Sequence, residues 1–278
     1  MTLPPPALEF CTRHPDVATG RHCTRCDRPA CNNCLVQADV GSHCIDCVRR
    51  ARPSAQVRAR HWNAAQPVLV TKVLVAVNVA VYLWVLAGPD SLTTAGMINQ
   101  REFDLGLSKV FIDDGQWHRI VTSGFLHFSI FHIAMNMLLL WQLGQLLEPM
   151  LDRARFTLLY FGSMFGGAAG ALLLQPDGLT GGASGAVFGL MAATAVAYQR
   201  RGINPMDTGI GALLVINLII TFLVPGISVG GHLGGALTGA GIGYVMLAPR
   251  RNARTDWTHY AVAVAAMAAS VALIASLP

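Results

Sequence analysis

The residues with the clearest chemical potential in this sequence are a serine and a histidine inside long apolar stretches. Ser184 follows Gly182 and Ala183 at the start of one stretch, and His232 lies near the start of another, within a glycine-rich run. Polar groups are costly in lipid, so each one inside a membrane segment is a functional candidate. A serine and a histidine within hydrogen-bond reach can perform nucleophilic catalysis. Ser184 is therefore the candidate nucleophile and His232 the candidate base.

A second pair, His132 and Asn136, offers hydrogen-bond donors for an oxyanion. The two residues are four positions apart, which puts them on one face of a helix. The backbone N–H of Ser184 at a helix N-terminus would be a third donor. His127 lies nearby, but it lacks an asparagine four positions later and is expected to be structural. No Asp or Glu lies near these positions, so the sequence favours a Ser–His dyad over a Ser–His–Asp triad.

The elements that must position these residues are apolar helices. Hydrophobic residues make up 53% of the 278 positions and charged residues 13%, against about 25% charged in soluble domains. A bilayer-spanning helix needs about 17–25 apolar residues. Seven stretches fit this requirement and predict an all-α polytopic membrane protein with spans at 67–88, 127–147, 155–174, 183–199, 208–225, 229–248 and 257–277.

Arginines in alternate gaps predict the orientation of these spans. Positive charge favours the cytoplasmic side, and four gaps on one side carry it: Arg49, Arg50, Arg52, Arg58 and Arg60; Arg153 and Arg155; Arg200 and Arg201; Arg250, Arg251 and Arg254. The expected location is the cell membrane, with the N-terminus cytoplasmic and the C-terminus outside. His132, Ser184 and His232 then all lie near the outer leaflet. The net charge of +5 is explained by this topology, and no nucleic-acid partner is expected.

Glycine spacing predicts how the spans carrying Ser184 and His232 meet. Small residues four positions apart let helix backbones approach closely in lipid. Gly185 and Gly189 form such a pair after Ser184, and a longer series surrounds His232: Gly231, Gly235, Gly239 and Gly243. Asn78 and Asn217 are expected to hydrogen-bond between helices.

Taken in order, these motifs resemble the signature of rhomboid proteases. The matching segments are Trp117-His118-Arg119, Phe125-Leu126-His127, His132-x-x-x-Asn136, Gly182-Ala183-Ser184-Gly185 and His232-x-x-Gly235-x-x-x-Gly239. The resemblance implies a rhomboid-like bundle of six core spans plus one C-terminal span. It also implies a serine protease that cuts single-span membrane proteins and needs no metal for catalysis. The 89–126 loop would be a structural element at the outer interface, and Glu148 would have a structural hydrogen-bonding role.

All seven cysteines lie in residues 1–50, ahead of the first span, in the pattern Cys11-x-x-His14, Cys23-x-x-Cys26, Cys31-x-x-Cys34 and Cys44-x-x-Cys47. The N-terminus has no signal-peptide pattern. An odd number of cysteines with a histidine completing a pair favours metal in a reducing compartment over disulfides. Four pairs provide eight ligands, enough for two structural Zn²⁺ sites. His22 and His43 are spare candidates.

The pattern resembles a B-box-type zinc finger. This resemblance implies a cross-brace, with Cys11, His14, Cys31 and Cys34 on one zinc ion and Cys23, Cys26, Cys44 and Cys47 on the other. A sequential pairing remains an alternative. We expect three domains: residues 1–50 as a zinc-binding domain that docks a cytoplasmic protein, 51–66 as a basic linker, and 67–278 as the membrane domain. Ubiquitin-ligase activity is a weaker idea, because a zinc cross-brace specifies no chemistry.

Three functions follow from these residues. The first is an intramembrane serine protease acting on transmembrane proteins in the lipid bilayer. The second is a catalytically silent rhomboid-like protein that binds or chaperones membrane clients. The third is a transporter that uses His132 and His232 as a proton path, which would call for more intramembrane acids than this sequence has.

Overall fold

The structure, a computed structural model, describes residues 9–88, 98–248 and 256–278. The chain divides into two compact units, residues 1–66 and 67–278. Three arginines of the last basic gap lie outside the described ranges, namely Arg250, Arg251 and Arg254, as do residues 89–97 of the long loop.

The N-terminal unit is small and rich in turns. Strands β1 (Phe10–Cys11) and β2 (His14–Ala18) pair antiparallel, as do β3 (Leu35–Gln37) and β4 (Ser42–Cys44). Helix α1 (Ile45–Ala51) follows β4, and α2 (Ala55–Ala64) occupies the predicted linker. The buried apolar cluster of this unit consists of Ala30 and six of the seven cysteines, because Cys26 is exposed. Such a core is too small to stabilise the fold without a staple.

In the second unit, helices occupy all seven predicted apolar stretches. They are α3 (Leu69–Leu86), α7 (Ile130–Leu151), α8 (Arg153–Leu174), α9 (Ser184–Gln199), α10 (Gly209–Leu223), α11 (Val229–Met246) and α12 (Asp256–Ser276). Four of these, α3, α7, α8 and α12, are long and apolar enough to cross a membrane, and α10 is a shorter apolar helix. The unit is thus a helical membrane bundle, while the count of seven spans stays a prediction.

Helix α11 packs closely against two neighbours through glycines. A Cβ atom added at Gly235 would lie 2.0 Å from the carbonyl oxygen of Gly185 on α9, and one at Gly239 would lie 2.3 Å from the Cα of Gly189. This is the contact that the glycine spacing predicted. A second row of glycines on α11, which was not predicted from the sequence, faces α8. A Cβ atom at Gly230 would lie 2.0 Å from the carbonyl oxygen of Gly170.

Helix α3 is held to α7 by a buried carboxylate. Glu148 is 1% exposed. It accepts hydrogen bonds from the backbone N–H groups of Val70 and Thr71 at 2.9 and 2.8 Å, and from the Thr71 hydroxyl at 2.7 Å. These N–H groups belong to the first turn of α3, where they have no partner within the helix. The structural role expected for Glu148 is therefore present.

The described part of the loop between α3 and α7, from residue 98 onward, contains three short α-helices, α4 (Gln100–Leu105), α5 (Lys109–Asp113) and α6 (Arg119–Thr122). The buried guanidinium of Arg119 links α6 to α4, because it donates to the carbonyls of Phe103 and Gly106 at 2.5 and 2.7 Å. A main-chain bridge between Leu107 and Thr180 fastens this loop to the segment before α9. The loop therefore helps to position the start of α9.

The amide groups of Asn78 and Asn217 do not make the expected donation to a neighbouring helix. Each Nδ2 donates to a carbonyl four residues earlier in its own helix, Leu74 and Leu213 respectively, at 2.8 Å. The amide of Asn78 also interacts with the hydroxyl of Tyr160 on α8, so a contact between helices is present at this residue. For Asn217 the prediction was wrong, because a helix carbonyl one turn back is always within reach of a short polar side chain.

Candidate functional site

A cavity of about 490 Å³ lies inside the helical bundle, with walls from α7, α9, α10 and α11. The four residues singled out in the sequence all line it: His132, Asn136, Ser184 and His232. They come from the first two turns of α7, α9 and α11. The three helices therefore present their N-terminal ends to one cavity, as their predicted parallel direction requires.

Ser184 is the first residue of α9 and is half-buried. The first hydrogen bond of the helix runs from the N–H of Val187 to the carbonyl of Ala183 at 3.0 Å. Backbone N–H groups before Val187 therefore have no partner within the helix. Ser184 thus combines a side-chain hydroxyl with nearby unused backbone donors, the combination that acyl transfer needs.

Gly182 allows His132 and Ser184 to come close to one another. Its φ of +135° lies in a region that favours glycine. A Cβ atom there would lie 2.7 Å from Nε2 of His132 and 3.6 Å from Oγ of Ser184. The N–H of Gly182 donates to the carbonyl of Ser123 at 2.8 Å, which fixes this turn to the loop before α7. A side chain at this position would therefore displace the ring of His132.

His132 and Asn136 are linked within α7. Asn136 is buried, and its Nδ2 donates to the carbonyl of His132 at 2.9 Å, which uses one of its two amide hydrogens. The ring of His127 lies 4.9 Å from the ring of His132, with its Nδ1 3.3 Å from the carbonyl of Phe125. His127 thus packs against the ring of His132 and is not among the described residues that line the cavity.

His232 is buried and held on two sides. Its ring stacks on Phe188 of α9, with centroids 4.0 Å apart and planes at 19°. Its Nδ1 lies 2.7 Å from the hydroxyl oxygen of Thr221 on α10. Neither Phe188 nor Thr221 was predicted from the sequence as a partner of His232. Phe188 could have been found, because it lies four residues after Ser184 on the same face of α9. Nothing in the sequence distinguishes Thr221 from other threonines in apolar helices.

The cavity contains no carboxylate among its described lining residues. Ser184 and His232 also share no hydrogen bond within the described part of the chain, although both face the cavity. Hydrogen bonds between catalytic groups are often long before a substrate is bound. The arrangement thus offers a hydroxyl, a buried imidazole and a set of N–H donors without a nearby negative charge.

In the N-terminal unit, the structure gathers the eight predicted metal ligands into two groups, with the ligand atoms of each group within 4.8 Å of one another. One group is Cys11, His14, Cys31 and Cys34, and the other is Cys23, Cys26, Cys44 and Cys47. This is the cross-brace grouping rather than the sequential one. The spare candidates His22 and His43 are in neither group.

The spacing of the ligand atoms suits a tetrahedral ion. Nδ1 of His14 lies 3.3 to 3.8 Å from the sulfurs of Cys11, Cys31 and Cys34. In the other group the sulfurs of Cys26 and Cys44 are 3.7 Å apart. Zinc–sulfur bonds of about 2.3 Å place tetrahedral ligands roughly 3.5–3.8 Å from each other. The donor sets are therefore compatible with Zn²⁺, and all seven cysteines are free thiols rather than disulfides.

Within each group the thiols differ in acidity. A hydrogen bond from the N–H of Cys31 lowers the pKa of Cys11 to about 6. Burial raises the pKa of Cys34 to about 11, with a further contribution from the neighbouring thiols. Hydrogen bonding to Cys26, together with burial, raises that of Cys47 to about 12. Several thiolates this close together need a cation to compensate their charge, so metal binding would release protons.

The fold and the cavity define the class of this protein. It is a multi-pass helical membrane protein whose bundle contains a largely apolar cavity lined by a few polar side chains. Residues 114–249 match the family model of the Rhomboid domain. This range contains Ser184, His232, His132 and Asn136, but none of the N-terminal unit.

Curated relatives agree with this match. The chain is 34% identical to Rhomboid protease GluP of Bacillus subtilis over 46% of its length and 26% of that protein. It is 32% identical to RHOMBOID-like protein 4 of Arabidopsis thaliana over 58% of its length and 41% of that protein. With Rhomboid-like protease 1 of Toxoplasma gondii it shares 30% identity over 60% of its length and 58% of that protein. The chain thus spans between a quarter and three fifths of these relatives, and together the matches support the rhomboid family.

Proposed function

We propose that this protein is an intramembrane serine protease that hydrolyses peptide bonds of membrane-spanning proteins. The observation that carries the proposal is the single cavity shared by Ser184, His232, His132 and Asn136 at the N-terminal ends of three helices. Relatives named as rhomboid proteases in Bacillus subtilis and Toxoplasma gondii support the same reaction.

In the proposed reaction, Oγ of Ser184 attacks the carbonyl carbon of the scissile peptide while Nε2 of His232 takes the hydroxyl proton. The new C–O bond leaves a negative charge on the carbonyl oxygen. When the C–N bond breaks, the imidazolium of His232 gives its proton to the leaving nitrogen. Water then attacks the ester through the same base, and the proton returns to Ser184 as the acid product leaves.

The oxyanion would be stabilised by donors around the start of α9. The Ser184 backbone N–H, the ring of His132 and the second amide hydrogen of Asn136 are the candidates. Such preorganised donors contribute about 2.7–4 kcal/mol each in serine proteases. The proximity of Gly182 to both His132 and Ser184 supports a binding point between these two side chains.

Apolar residues around the cavity support a membrane-embedded substrate. Phe128, Phe131, Ile220 and Val224 line it, and Phe131 is 81% exposed. An apolar transmembrane segment can therefore reach the cavity from the lipid. Under the proposed topology, with seven spans and a cytoplasmic N-terminus, cleavage would occur near the outer leaflet.

We further propose that the N-terminal unit holds two structural Zn²⁺ ions and docks a cytoplasmic protein. The metal is supported by the two ligand groups, and by the fact that the described residues of this unit form no other buried apolar cluster. Exposed apolar side chains support the docking role, notably Val40, which is 82% exposed, together with Phe10 and Val36. Residues 1–50 would form this domain and residues 51–66 the basic linker to the membrane domain.

Cleavage of a single-span model substrate by the purified protein tests the proposed reaction. Ser184→Ala and His232→Ala should each abolish cleavage, since each removes a group that forms or transfers a bond. Ser270→Ala is a matched control, because Ser270 is a buried helical serine that bonds only the carbonyl of Ala266. It should cleave like the wild type.

The same preparation distinguishes the protease from a silent client-binding protein. A serine-reactive fluorophosphonate should label the wild type and Ser270→Ala, but not Ser184→Ala. Cleavage that persists in Ser184→Ala, or a folded wild type that neither cleaves nor is labelled, would overturn the proposed activity in favour of client binding.

A further inference from the structure

The hydroxyl of Thr221 lies between two hydrogen-bonding groups deep in the bundle. Its Oγ1 is 2.7 Å from the carbonyl oxygen of Asn217, one turn earlier in α10, and 2.7 Å from Nδ1 of His232 on α11. Thr221 is 2% exposed and His232 is 8% exposed. Apart from Gly211, Thr221 is the only buried residue of α10, so this contact is the polar attachment of α10 to α11.

The number of protons fixes the direction of both hydrogen bonds. A threonine hydroxyl has one proton to donate and lone pairs that accept. The carbonyl of Asn217 can only accept, so the hydroxyl proton goes to it. The hydroxyl oxygen must then accept a proton from the histidine. Nδ1 of His232 therefore carries hydrogen, and Nε2 carries the lone pair.

This tautomer is the one that a general base needs. In the Ser–His–Asp template, a carboxylate accepts from Nδ1–H and holds the imidazole so that Nε2 can take the serine proton. The cavity here has no carboxylate among its described residues. A hydroxyl polarised by a helix carbonyl can fill the same position without burying a second charge.

We propose that Thr221 is a positioning residue that fixes the Nδ1–H tautomer and the orientation of His232, in the place where other serine proteases use a carboxylate. The effect of Thr221 on catalysis rests on the proposed function. The tautomer of His232 can be measured whether or not the protein cleaves a substrate. Phe188 fixes the plane of the ring by stacking, and Thr221 fixes its rotation within that plane.

The test compares three variants of the full-length protein. Thr221→Val keeps the shape and removes the hydroxyl, and Thr221→Ser keeps the hydroxyl. Thr194→Val is the matched control, because Thr194 is a fully buried threonine that bonds only a helix carbonyl, that of Leu190 at 2.8 Å. All three are first compared with the wild type by thermal unfolding in detergent.

We expect Thr221→Val to lower kcat by about tenfold to a hundredfold, in the lower range of general-base effects, with KM nearly unchanged. Thr221→Ser should recover most of the activity, and Thr194→Val should match the wild type. A kcat for Thr221→Val within twofold of the wild type, in folded protein, would overturn the catalytic consequence.

The second measurement is ¹⁵N NMR of protein labelled at histidine, with the His232 signals assigned by their loss in His232→Gln. Neutral His232 should show a protonated Nδ1 in the wild type and in Thr221→Ser, and a shift towards protonated Nε2 in Thr221→Val. A wild-type ring already protonated at Nε2 would overturn the inference. If the wild type cleaves nothing yet shows the Nδ1–H form, the proposed function fails while the role of Thr221 in fixing the tautomer stands.

Discussion

The two units of this protein assemble their polar groups over very different distances along the chain. In the N-terminal unit, the four ligands of each candidate metal centre lie within 25 residues of one another, in paired turns. In the helical unit, the candidate catalytic residues spread over 100 positions, from His132 to His232, and meet through packed helices. The first arrangement is proposed to depend on a bound ion, and the second depends on the shape of helix surfaces. We therefore expect different changes to unfold the two units.

Removal of metal should produce the largest effect, and only in the N-terminal unit. Structural zinc contributes about 10–16 kcal/mol to the folding of small metal domains. Because the buried cluster of this unit consists of six candidate ligand cysteines and Ala30, a strong chelator or Cys34→Ser should unfold residues 9–51. Limited proteolysis and zinc content would measure this.

The control for that experiment is His43→Ala, since His43 lies outside both ligand groups. It should keep two zinc ions per chain. After chelation, a loss of helical circular dichroism larger than α1 and α2 can account for, or faster proteolysis beyond residue 66, would contradict the separation of the two units.

Adding a single methyl group at the contact between α9 and α11 should produce the next largest effect, in the helical unit. Gly235→Ala places a Cβ atom 2.0 Å from the carbonyl oxygen of Gly185, so α9 and α11 must move apart. We expect a loss of about 3 kcal/mol, at the upper end of overpacking costs, and a loss of cleavage, because Ser184 and His232 are carried by these two helices. Thermal unfolding in micelles would measure the first effect.

Gly241→Ala is the matched control on the same helix, because a Cβ atom there meets nothing within 4 Å. Its stability should equal that of the wild type or exceed it slightly, since alanine favours the helix. Equal stabilities for the Gly235 and Gly241 variants would argue against close packing of α9 on α11.

Glu148→Gln should have a smaller effect, also confined to the helical unit. The glutamine keeps one acceptor oxygen but loses the charge that receives three hydrogen bonds from Val70 and Thr71. We expect a loss of about 1.5 kcal/mol, typical of a hydrogen bond to a charged group. Asp114→Asn, at an exposed position of the loop, is the control and should unfold like the wild type.

Deletion of residues 1–50 should have the smallest effect on chemistry. The cavity and its lining residues all belong to the second unit. We expect cleavage of a generic substrate to stay within a few-fold of the full-length rate, measured at equal amounts of folded protein. Complete loss of cleavage in a folded bundle would show that the N-terminal unit controls the protease.

The sequence was most informative where residue type and spacing act locally. The Cys-x-x-Cys and Cys-x-x-His pairs predicted the ligands, and the glycine spacing predicted the contact between α9 and α11. Ser184 and His232 were identified as candidates because polar residues are rare in apolar helices. The contact of Thr221 with His232 was not predicted from the sequence. A helix that is apolar all round has no polar face to define its rotation, so the sequence does not show which side of α10 meets His232.

The main-chain bridge between the long loop and the segment before α9 has a consequence for how this protein can evolve. Leu107 and Thr180 exchange two hydrogen bonds, at 2.9 and 2.8 Å, through backbone atoms alone. The N–H of Gly182 reaches the carbonyl of Ser123 in the same way. Neither link requires a particular side chain at the loop positions. Among related proteins, the loop sequence is therefore free to diverge while the residue at the position of Ser184 keeps its place.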